Sequence, residues 1–403
     1  MHRHAGPSFL ALALLAACTD TGSRSTLATP VIDTVPGGAV RVRNPGPTAW
    51  ADSSGWRLEE DLTITGAGDS VAELANPSGV AVDRQGRVYV VDDLIKVFGP
   101  DGRFLRTLGR LGDGPGEYRG AELTTVGDSL LLLDLRNSRL SLFDAAGHFV
   151  RSWHVPCCAP RPVAVDSATR VLVWDPSGPA DAHVHRWLRY GLDGRLLDTL
   201  EAPPGPPPVV WRVKTGFGAW SARVPYTPVT SIVVHPQEGL VYGWGGRYEL
   251  AWSRHGGDTT MVFGRAWTAA PVSDGRRQAE LDRYLAFLSR NGRNLGGVDS
   301  VDMARELALA DVPRTAPAFS SLGVDAEGNF WVVTDSGDDT LRTSFDVFDA
   351  GGRYLGAVRA PGQVNTAPGY AAWGAAALYA IGEASGGQPV VRRFRVRRGG
   401  PGG

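Results

Sequence analysis

The chain has 403 residues, 43% hydrophobic and 21% charged, so it can bury a large core and is neither a disordered chain nor a mini-protein. Its 41 Lys and Arg residues nearly balance 42 Asp and Glu residues, which excludes a protein-wide positive field for nucleic acid or anionic membranes. The 52 glycines and 28 prolines, together with 12 Trp, 10 Tyr and 13 Phe residues, favour short strands joined by tight turns. The composition therefore predicts an all-β protein.

The first predicted element is an apolar segment from Phe9 to Ala17. It is too short for a membrane-spanning helix, which needs about 20 apolar residues, and it predicts a signal peptide over residues 1–17. The tetrapeptide that ends at Cys18 reads LAAC and resembles the bacterial lipobox. This resemblance implies acylation of Cys18, and Thr19 after it implies an outer-membrane destination. The alternative is an ordinary signal peptide that happens to contain a cysteine.

The next segment, residues 18–54, is rich in Thr, Ser, Gly and Pro and has no periodic apolar pattern. This composition is typical of a flexible tether between a lipid anchor and a folded domain. We therefore expect the folded domain to start near Trp56 and to span residues 55–398, followed by a flexible tail over 399–403.

A repeated unit begins at Asn76 and reads NPSGVAVDRQGRVYVVDDLIKVFGPDGRFLRTLGRLGDGPGEYR. Its alternating apolar residues and its turn dipeptides, such as Asp101-Gly102, indicate a four-stranded antiparallel meander. The predicted strands are Gly79 to Asp83, Val88 to Asp92, Ile95 to Phe98 and Phe104 to Leu108.

Similar units follow along the chain, and the last supplies about three strands. They begin near Gly127, Pro162, Ser231, Ser321 and Gly369. The motif GVAVDxxGxVYVVD…VFxxDGxFLxxxGxxGxGPGEY in the first unit resembles the NHL-type repeat of six-bladed β-propellers. The resemblance covers roughly residues 56–398 and implies six blades of four antiparallel strands. A β-sandwich with similar hairpins is the alternative.

A spare strand precedes the first full unit, from Trp56 to Thr65. Because a ring of blades must join its two ends, we expect this strand to complete the last blade. Such closure removes the exposed sheet edges that invite aggregation.

An insertion interrupts the repeat between units four and five, over residues 272–313. Leu281, Leu285 and Leu288 share one helical face, and a second amphipathic stretch ends at Pro313. We expect two helices that pack over one face of the disc; a lid or a hairpin that docks a partner is the functional alternative.

Six aspartates recur at predicted strand ends, and their repetition favours a structural role in the turns over catalysis. They are Asp83, Asp92, Asp134, Asp166, Asp325 and Asp335.

Two candidate metal sites stand out from the sequence, and neither is convincing. His183 and His185, preceded by Asp181, share one face of a predicted strand, but the sequence nominates no third ligand for zinc or copper. The second candidate is a run of oxygen ligands that lacks EF-hand spacing and is better interpreted as a solvated turn. It comprises Asp335, Asp338 and Asp339. We therefore predict no metal and no cofactor.

The remaining cysteines, Cys157 and Cys158, are adjacent. Their Cα atoms are about 3.8 Å apart, below the usual disulfide range, so the pair could form a strained disulfide or remain as free thiols.

A basic run from Arg392 to Arg398 alternates partly as a strand does. We interpret it as a polar blade face, with contact to lipid headgroups as the alternative.

The sequence thus predicts a monomeric, lipid-anchored protein of the cell envelope. A non-catalytic role as a binding module or protein-interaction scaffold is expected, with a protein or small-molecule ligand on one propeller face and no nucleic acid. The alternative is a metal-dependent hydrolase or lyase of the lactonase-like propeller type, with its site at the central channel.

Overall fold

The computed structural model describes residues 29–35, 37–46, 48, 50, 55–156, 163–175, 185–256, 258–298, 300–335, 337 and 342–399. Five four-stranded antiparallel sheets, together with four antiparallel strands of a six-stranded sheet, form the blades of an all-β six-bladed propeller, as the repeat predicted. Within each blade the strands are numbered from the first, at the central channel, to the fourth, at the rim.

Three strands precede the first complete blade: β1 (Val31–Thr34), β2 (Val40–Asn44) and β3 (Arg57–Ile64). The first blade contains β4 (Gly79–Val82), β5 (Val88–Val91), β6 (Ile95–Phe98) and β7 (Phe104–Leu108). These four strands confirm the meander predicted from the first repeat unit. A short parallel pair follows in the next connector, β8 (Arg110–Leu111) with β9 (Glu117–Tyr118).

The second and third blades follow the same order. The second contains β10 (Ala121–Val126), β11 (Ser129–Asp134), β12 (Arg139–Phe143) and β13 (Phe149–His154). The third contains β14 (Ala164–Val165), β15 (Val171–Asp175), β16 (His185–Tyr190) and β17 (Leu196–Ala202). A two-stranded hairpin then departs from the repeat, β18 (Val210–Thr215) with β19 (Gly218–Arg223).

The fourth blade contains β20 (Thr230–Val234), β21 (Leu240–Trp244), β22 (Glu249–Ser253) and β23 (Thr259–Arg265). The connector after it holds helices α1 (Asp274–Asn291) and α2 (Ser300–Glu306), with 3-10 turns at Gly292–Leu295 and Leu309–Asp311. This insertion between blades four and five was predicted from its periodicity.

The fifth blade contains β24 (Ser321–Val324), β25 (Phe330–Thr334), β26 (Ser344–Phe348) and β27 (Tyr354–Arg359). The sixth contains β28 (Ala371–Trp373), β29 (Ala377–Glu383) and β30 (Pro389–Arg397). Its fourth strand is β3, which pairs antiparallel with β30, from Arg57 opposite Arg397 to Ile64 opposite Val391. The predicted closure of the ring by the N-terminal strand is confirmed.

The core is divided into layers because both faces of each blade pack against a neighbouring blade. Each of the six blade-to-blade interfaces contains its own cluster of buried apolar side chains. A seventh cluster lies apart from the blades and joins the β18–β19 hairpin to the two helices. The hairpin and helices therefore form a unit with its own small core, which we call the insertion module (residues 207–226 and 272–313).

The segment expected to be a tether departs from that expectation. Strand β2 runs parallel to β23 and β1 pairs antiparallel with β2, so blade four becomes a six-stranded sheet. In β2, Val42 is buried against the core of blades four and five while its neighbours Arg41 and Arg43 point away. Among the described residues, regular structure therefore begins at Val31, before the expected start near Trp56. Strands of four and five residues are too short for the periodicity of apolar residues to reveal them.

The two faces of the disc carry different segments. Gly245, in the turn between the second and third strands of blade four, donates its N–H to Val229 O (2.8 Å) and accepts from Ala318 N (2.8 Å). Val229 and Ala318 belong to connectors between blades, so connectors and second–third turns share one face, the connector face. The first–second and third–fourth turns lie on the opposite face, the turn face.

Candidate functional site

The repeated aspartates of the turn face are structural. Asp325 accepts hydrogen bonds from Glu327 N (3.0 Å), Asn329 N (2.9 Å) and the indole Nε1 of Trp331 (3.0 Å). Asp83 and Asp166 accept equivalent bonds from the backbone two and four residues later and from an arginine side chain. Their buried carboxylates stabilise the turns, which is the structural role predicted for these three aspartates.

Blade four replaces the repeated aspartate with His235. Its Nδ1 accepts from Gln237 N at 3.2 Å, as the aspartate carboxylates do, and its ring stacks on Trp252 with centroids 4.4 Å apart. Burial, followed by the nearby charge of Arg254, lowers its pKa to about 4. His235 is therefore a neutral structural residue at physiological pH.

The connector face carries the features that the blade repeat does not explain. In the insertion module, Trp211 and Val213 of β18 pack against Leu281 and Leu288 of α1. The indole Nε1 of Trp211 also donates to Asp311 Oδ2 at 3.0 Å. The module therefore has a defined internal packing of its own and is not a loose loop.

One arginine fastens the insertion module to the propeller. Arg276 of α1 donates to both carboxylate oxygens of Asp335, at 3.2 and 2.5 Å, in the second–third turn of blade five. Its guanidinium also lies 5.3 Å from the ring centre of Tyr226, in the connector from blade three. The hydrogen bonds that Arg276 donates to Asp335 raise the pKa of Arg276, although burial opposes this shift. This contact joins three segments that are distant in the sequence.

A cavity of about 430 Å³ lies beside this contact, at the junction of blades four and five. Its walls come from the end of β23, from both ends of the helical connector and from the end of β25. The residues that matter chemically are Arg265, Trp267, Thr268, Thr334 and Asp335. We call this space the junction cavity.

The guanidinium of Arg265 is held by a buried cluster. Its Nε donates to Asp346 Oδ2 at 2.7 Å, and it lies over the rings of Tyr248 (4.7 Å) and Tyr354 (5.3 Å). Both phenols donate to the same carboxylate, at 2.5 Å from Tyr248 and 3.0 Å from Tyr354. Burial raises the pKa of both tyrosines, so both remain protonated donors.

The charges of the junction cavity are therefore matched within the protein. Asp346 balances Arg265, and Arg276 balances Asp335. What remains for a ligand is hydrogen bonding from hydroxyl groups and spare guanidinium N–H groups, beside the indole of Trp267. Such a site suits a neutral polar molecule with one apolar face.

The predicted basic run in β30 is a charged blade face. Asp61 of β3 accepts from Arg393 Nε (2.7 Å) and also pairs with Arg395. Arg397 pairs with Glu59 at 2.9 Å. The strand that closes the ring thus supplies the acids that neutralise this run.

Several predicted site residues lie outside the described residues: Cys18, Cys157, Cys158, Asp181, His183, Asp338 and Asp339. His185 begins β16 and is half-buried, and Asp335 binds Arg276 as described above. Among the described residues, no group of three or more His, Cys, Asp and Glu side chains could hold a metal ion.

At the central channel, burial raises the pKa of Glu122, on β10, to about 7.

The sequence interpretation missed the β18–β19 hairpin and the Arg265 cluster. The hairpin had a detectable signal, because Trp211 and Val213 alternate with polar residues before a Thr-Gly-Phe-Gly turn. The Arg265 cluster had none, since Asp346 lies 81 residues away in the chain.

The match to a protein family agrees with this fold. Residues 72–190 match a family model described as a 6-bladed beta-propeller. No curated protein matches the chain. A protein from Bacteroides fragilis that is described as exported is 12% identical, with a TM-score of 0.49 over 89% of this chain and 100% of its own. A catalytically inactive virginiamycin B lyase from Staphylococcus aureus, solved with quinupristin, is 13% identical, with a TM-score of 0.40 over 84% and 99%.

No helix within the described part of the chain is long and apolar enough to cross a membrane.

Proposed function

We propose that this protein is an exported lipoprotein of the bacterial cell envelope that binds a small neutral ligand in the junction cavity. The LAAC sequence at Cys18 supports the lipid anchor, and Thr19 supports the outer membrane as its destination. The repeat, which resembles NHL propellers, supports a non-catalytic binding module.

The observation that carries this proposal is the junction cavity, together with the insertion module that Arg276 fastens beside it. A ring of six blades is closed without the insertion module, because β3 already completes the last blade. The module nevertheless has its own core and is fixed by Arg276 beside the cavity. A cavity of this size, with charges matched within the protein, suits the capture of a small molecule.

The chemistry of the walls narrows the ligand class. An anion would find Arg265 already neutralised by Asp346, and a cation would find Asp335 already occupied by Arg276. Trp267 offers an apolar surface, and Thr268 and Thr334 offer hydroxyl groups. Uncharged saccharides and short uncharged peptides combine an apolar face with hydrogen-bonding groups in this way.

A ligand-observed NMR experiment with a panel of uncharged saccharides and end-blocked peptides tests the binding site. We expect a binder whose signal disappears with Trp267→Ala and persists with Phe217→Ala, an aromatic truncation on the insertion module. The proposal is contradicted if no compound of the panel binds, or if the signal of the bound compound is unchanged by Trp267→Ala. One tightly held divalent ion per chain by elemental analysis would instead favour the metal-dependent hydrolase or lyase.

The anchor is tested in cells. Cys18→Ser should abolish acyl labelling and release the protein from the membrane fraction. Unchanged retention of this variant in membranes would remove the lipoprotein proposal.

A further inference from the structure

The outer face of the β18–β19 hairpin is basic. In the hairpin, Arg212 lies opposite Ser221, Lys214 lies opposite Ala219, and Arg223 lies opposite Val210. The three cations therefore lie on one face of the hairpin. All three are exposed, while Trp211 and Val213 on the other face pack against the helices. Residues 203–229 contain these three basic residues and no acidic residue.

The cations of this face have no ion-pair partner among the described residues. This is unusual in a chain whose arginines mostly pair with nearby acids, as in β30. A local positive surface thus exists in a protein whose net charge is −1. Its electrostatic potential is available to an anionic partner.

An aromatic side chain stands at the tip of the same hairpin. Phe217 is 83% exposed, and Val209 at the base of the hairpin is 52% exposed. The tip is held rigidly, because Gly216 donates its N–H to Gly297 O at 3.1 Å and Thr215 bridges to Val298. A Cβ at Gly216 would come within 2.0 Å of Gly296 O, so the close backbone contact requires glycine there.

The N-terminal chain enters the fold on the side of blade four that leads to the insertion module. Val31 pairs with Arg43, which pairs with Gly264 near the end of β23, where the connector to the helices leaves. From Cys18 to Val31 the chain can extend over about 45 Å at most. A chain of this reach allows an acylated Cys18 to place this side of the molecule against the bilayer.

We propose that the β18–β19 hairpin docks on an anionic lipid surface, with Phe217 inserted between headgroups and the cations of Arg212, Lys214 and Arg223 above them. Exposed aromatic rings favour the membrane interface, and each nearby basic residue strengthens binding to anionic lipid. The orientation rests on the proposed lipid anchor, whereas the lipid affinity of the hairpin does not need it.

The test uses the chain from residue 18 onward as Cys18→Ser, so that no acyl chain contributes; all described strands and helices begin at Val31 or later. Cosedimentation is measured with phosphatidylcholine vesicles and with vesicles containing about 30 mol% phosphatidylglycerol. We expect binding to the anionic vesicles only, weakened strongly between about 50 and 300 mM salt.

Two independent variants probe the surface. Phe217→Ala and the double variant R212S/K214S should each lower the affinity about tenfold. Matched controls should change it less than about twofold: R84S/R195S removes two exposed arginines of the turn face, and Leu105→Ala removes an exposed apolar side chain of blade one.

Absence of binding to anionic vesicles, or equal binding by the hairpin variants and the controls, would overturn the inference. This failure is distinct from failure of the anchor, because the vesicle assay contains no acyl chain and the fractionation of Cys18→Ser in cells does not depend on the hairpin. Binding equal on neutral and anionic vesicles would also overturn the role of the cations.

Discussion

Two basic strands of this molecule carry similar side chains and have very different surroundings. The five arginines from Arg392 to Arg398, on β30 and just after it, face acids at short range, three of which come from β3. The cations of the β18–β19 hairpin face solvent beside an exposed phenylalanine. The first set lies where the ring closes, while the second forms the surface that we propose to bind anionic lipid.

The difference shows that the number of basic residues in a segment is a poor guide to its function. In β30 the neutralising acids come from about 330 residues earlier in the chain, so only the closed ring brings them together. In the hairpin the neighbouring strand supplies alanine and serine instead. Charges that the fold matches contribute to stability, and charges that it leaves unmatched are available for binding.

The largest effect on stability is expected from the buried charges of the blades. Asp325→Ala leaves the indole N–H of Trp331 and the side chain of Asn329 without their buried acceptor. We expect a loss of about 3 kcal/mol in the free energy of unfolding, measured by urea denaturation. Asp349→Ala, in another turn of the same blade, removes only bonds to backbone N–H groups and should cost about 1 kcal/mol. Equal effects would contradict the account.

The next largest effect on stability is expected from loss of the contact between Arg276 and Asp335, which fastens the insertion module. Arg276→Ala leaves Asp335 mostly buried without its partner, so we expect about 2 kcal/mol of local destabilisation. Hydrogen exchange in α1 should accelerate while exchange in the blades stays unchanged. Arg283→Ala, which removes an exposed pair within α1, is the control. Unchanged exchange in α1 would show that Arg276 does not fasten the module.

Loss of the Asp61 ion pairs at the closure of the ring should have a smaller effect on the free energy of unfolding, and this effect should depend on pH. Although burial acts to raise it, hydrogen bonds from Arg393 and Arg395 lower the pKa of Asp61 below its usual 3.8. A lowered pKa in the folded state stabilises the fold above pH 3.8 and loses that contribution as the pH falls through the folded value.

Asp61→Asn should therefore lower the free energy of unfolding at pH 7 by about 1–2 kcal/mol, with a difference that shrinks in acid. Denaturation at several pH values measures it, and Asp33→Asn, in an exposed pair with Arg43, is the control. A pH-independent difference would contradict a role for the ionised carboxylate.

The smallest effect on stability is expected in the hairpin. R212S/K214S removes two exposed cations that have no partner in the described part of the chain, so stability should change by less than about 0.5 kcal/mol. R393S/R395S, the paired counterpart, should destabilise more. A reversal of this order in urea denaturation would show that the comparison between the two strands is wrong.

Much of the fold follows from local patterns in the sequence. The strands from Gly79 to Leu108 and helix α1 were predicted nearly to the residue, because alternation, turn glycines and helical spacing are local signals. The second helix ends at Glu306, earlier than the predicted end at Pro313. The closing strand followed from the geometry of a ring. The β1–β2 hairpin did not, since its pairing with β23 joins residues more than 200 positions apart.

The candidate sites were harder to predict from the sequence, because their residues also lie far apart in the chain. The junction cavity depends on Arg265 and Asp346 in different blades and on Arg276 in the insertion module. No spacing rule connects such residues. The basic face of the hairpin could have been found from the absence of acids in residues 203–229, but its exposure is a property of the packed module.

On a membrane, we expect the hairpin side of the molecule to contact the bilayer and the arginine strand β30 not to contact it. Hydrogen exchange of the acylated protein, compared between detergent and anionic vesicles, tests it most directly. We predict slower exchange on vesicles in residues 210–223, with no change in β30 or in the turns of the turn face. Protection of β30 instead, or no protection of the hairpin, would contradict the account.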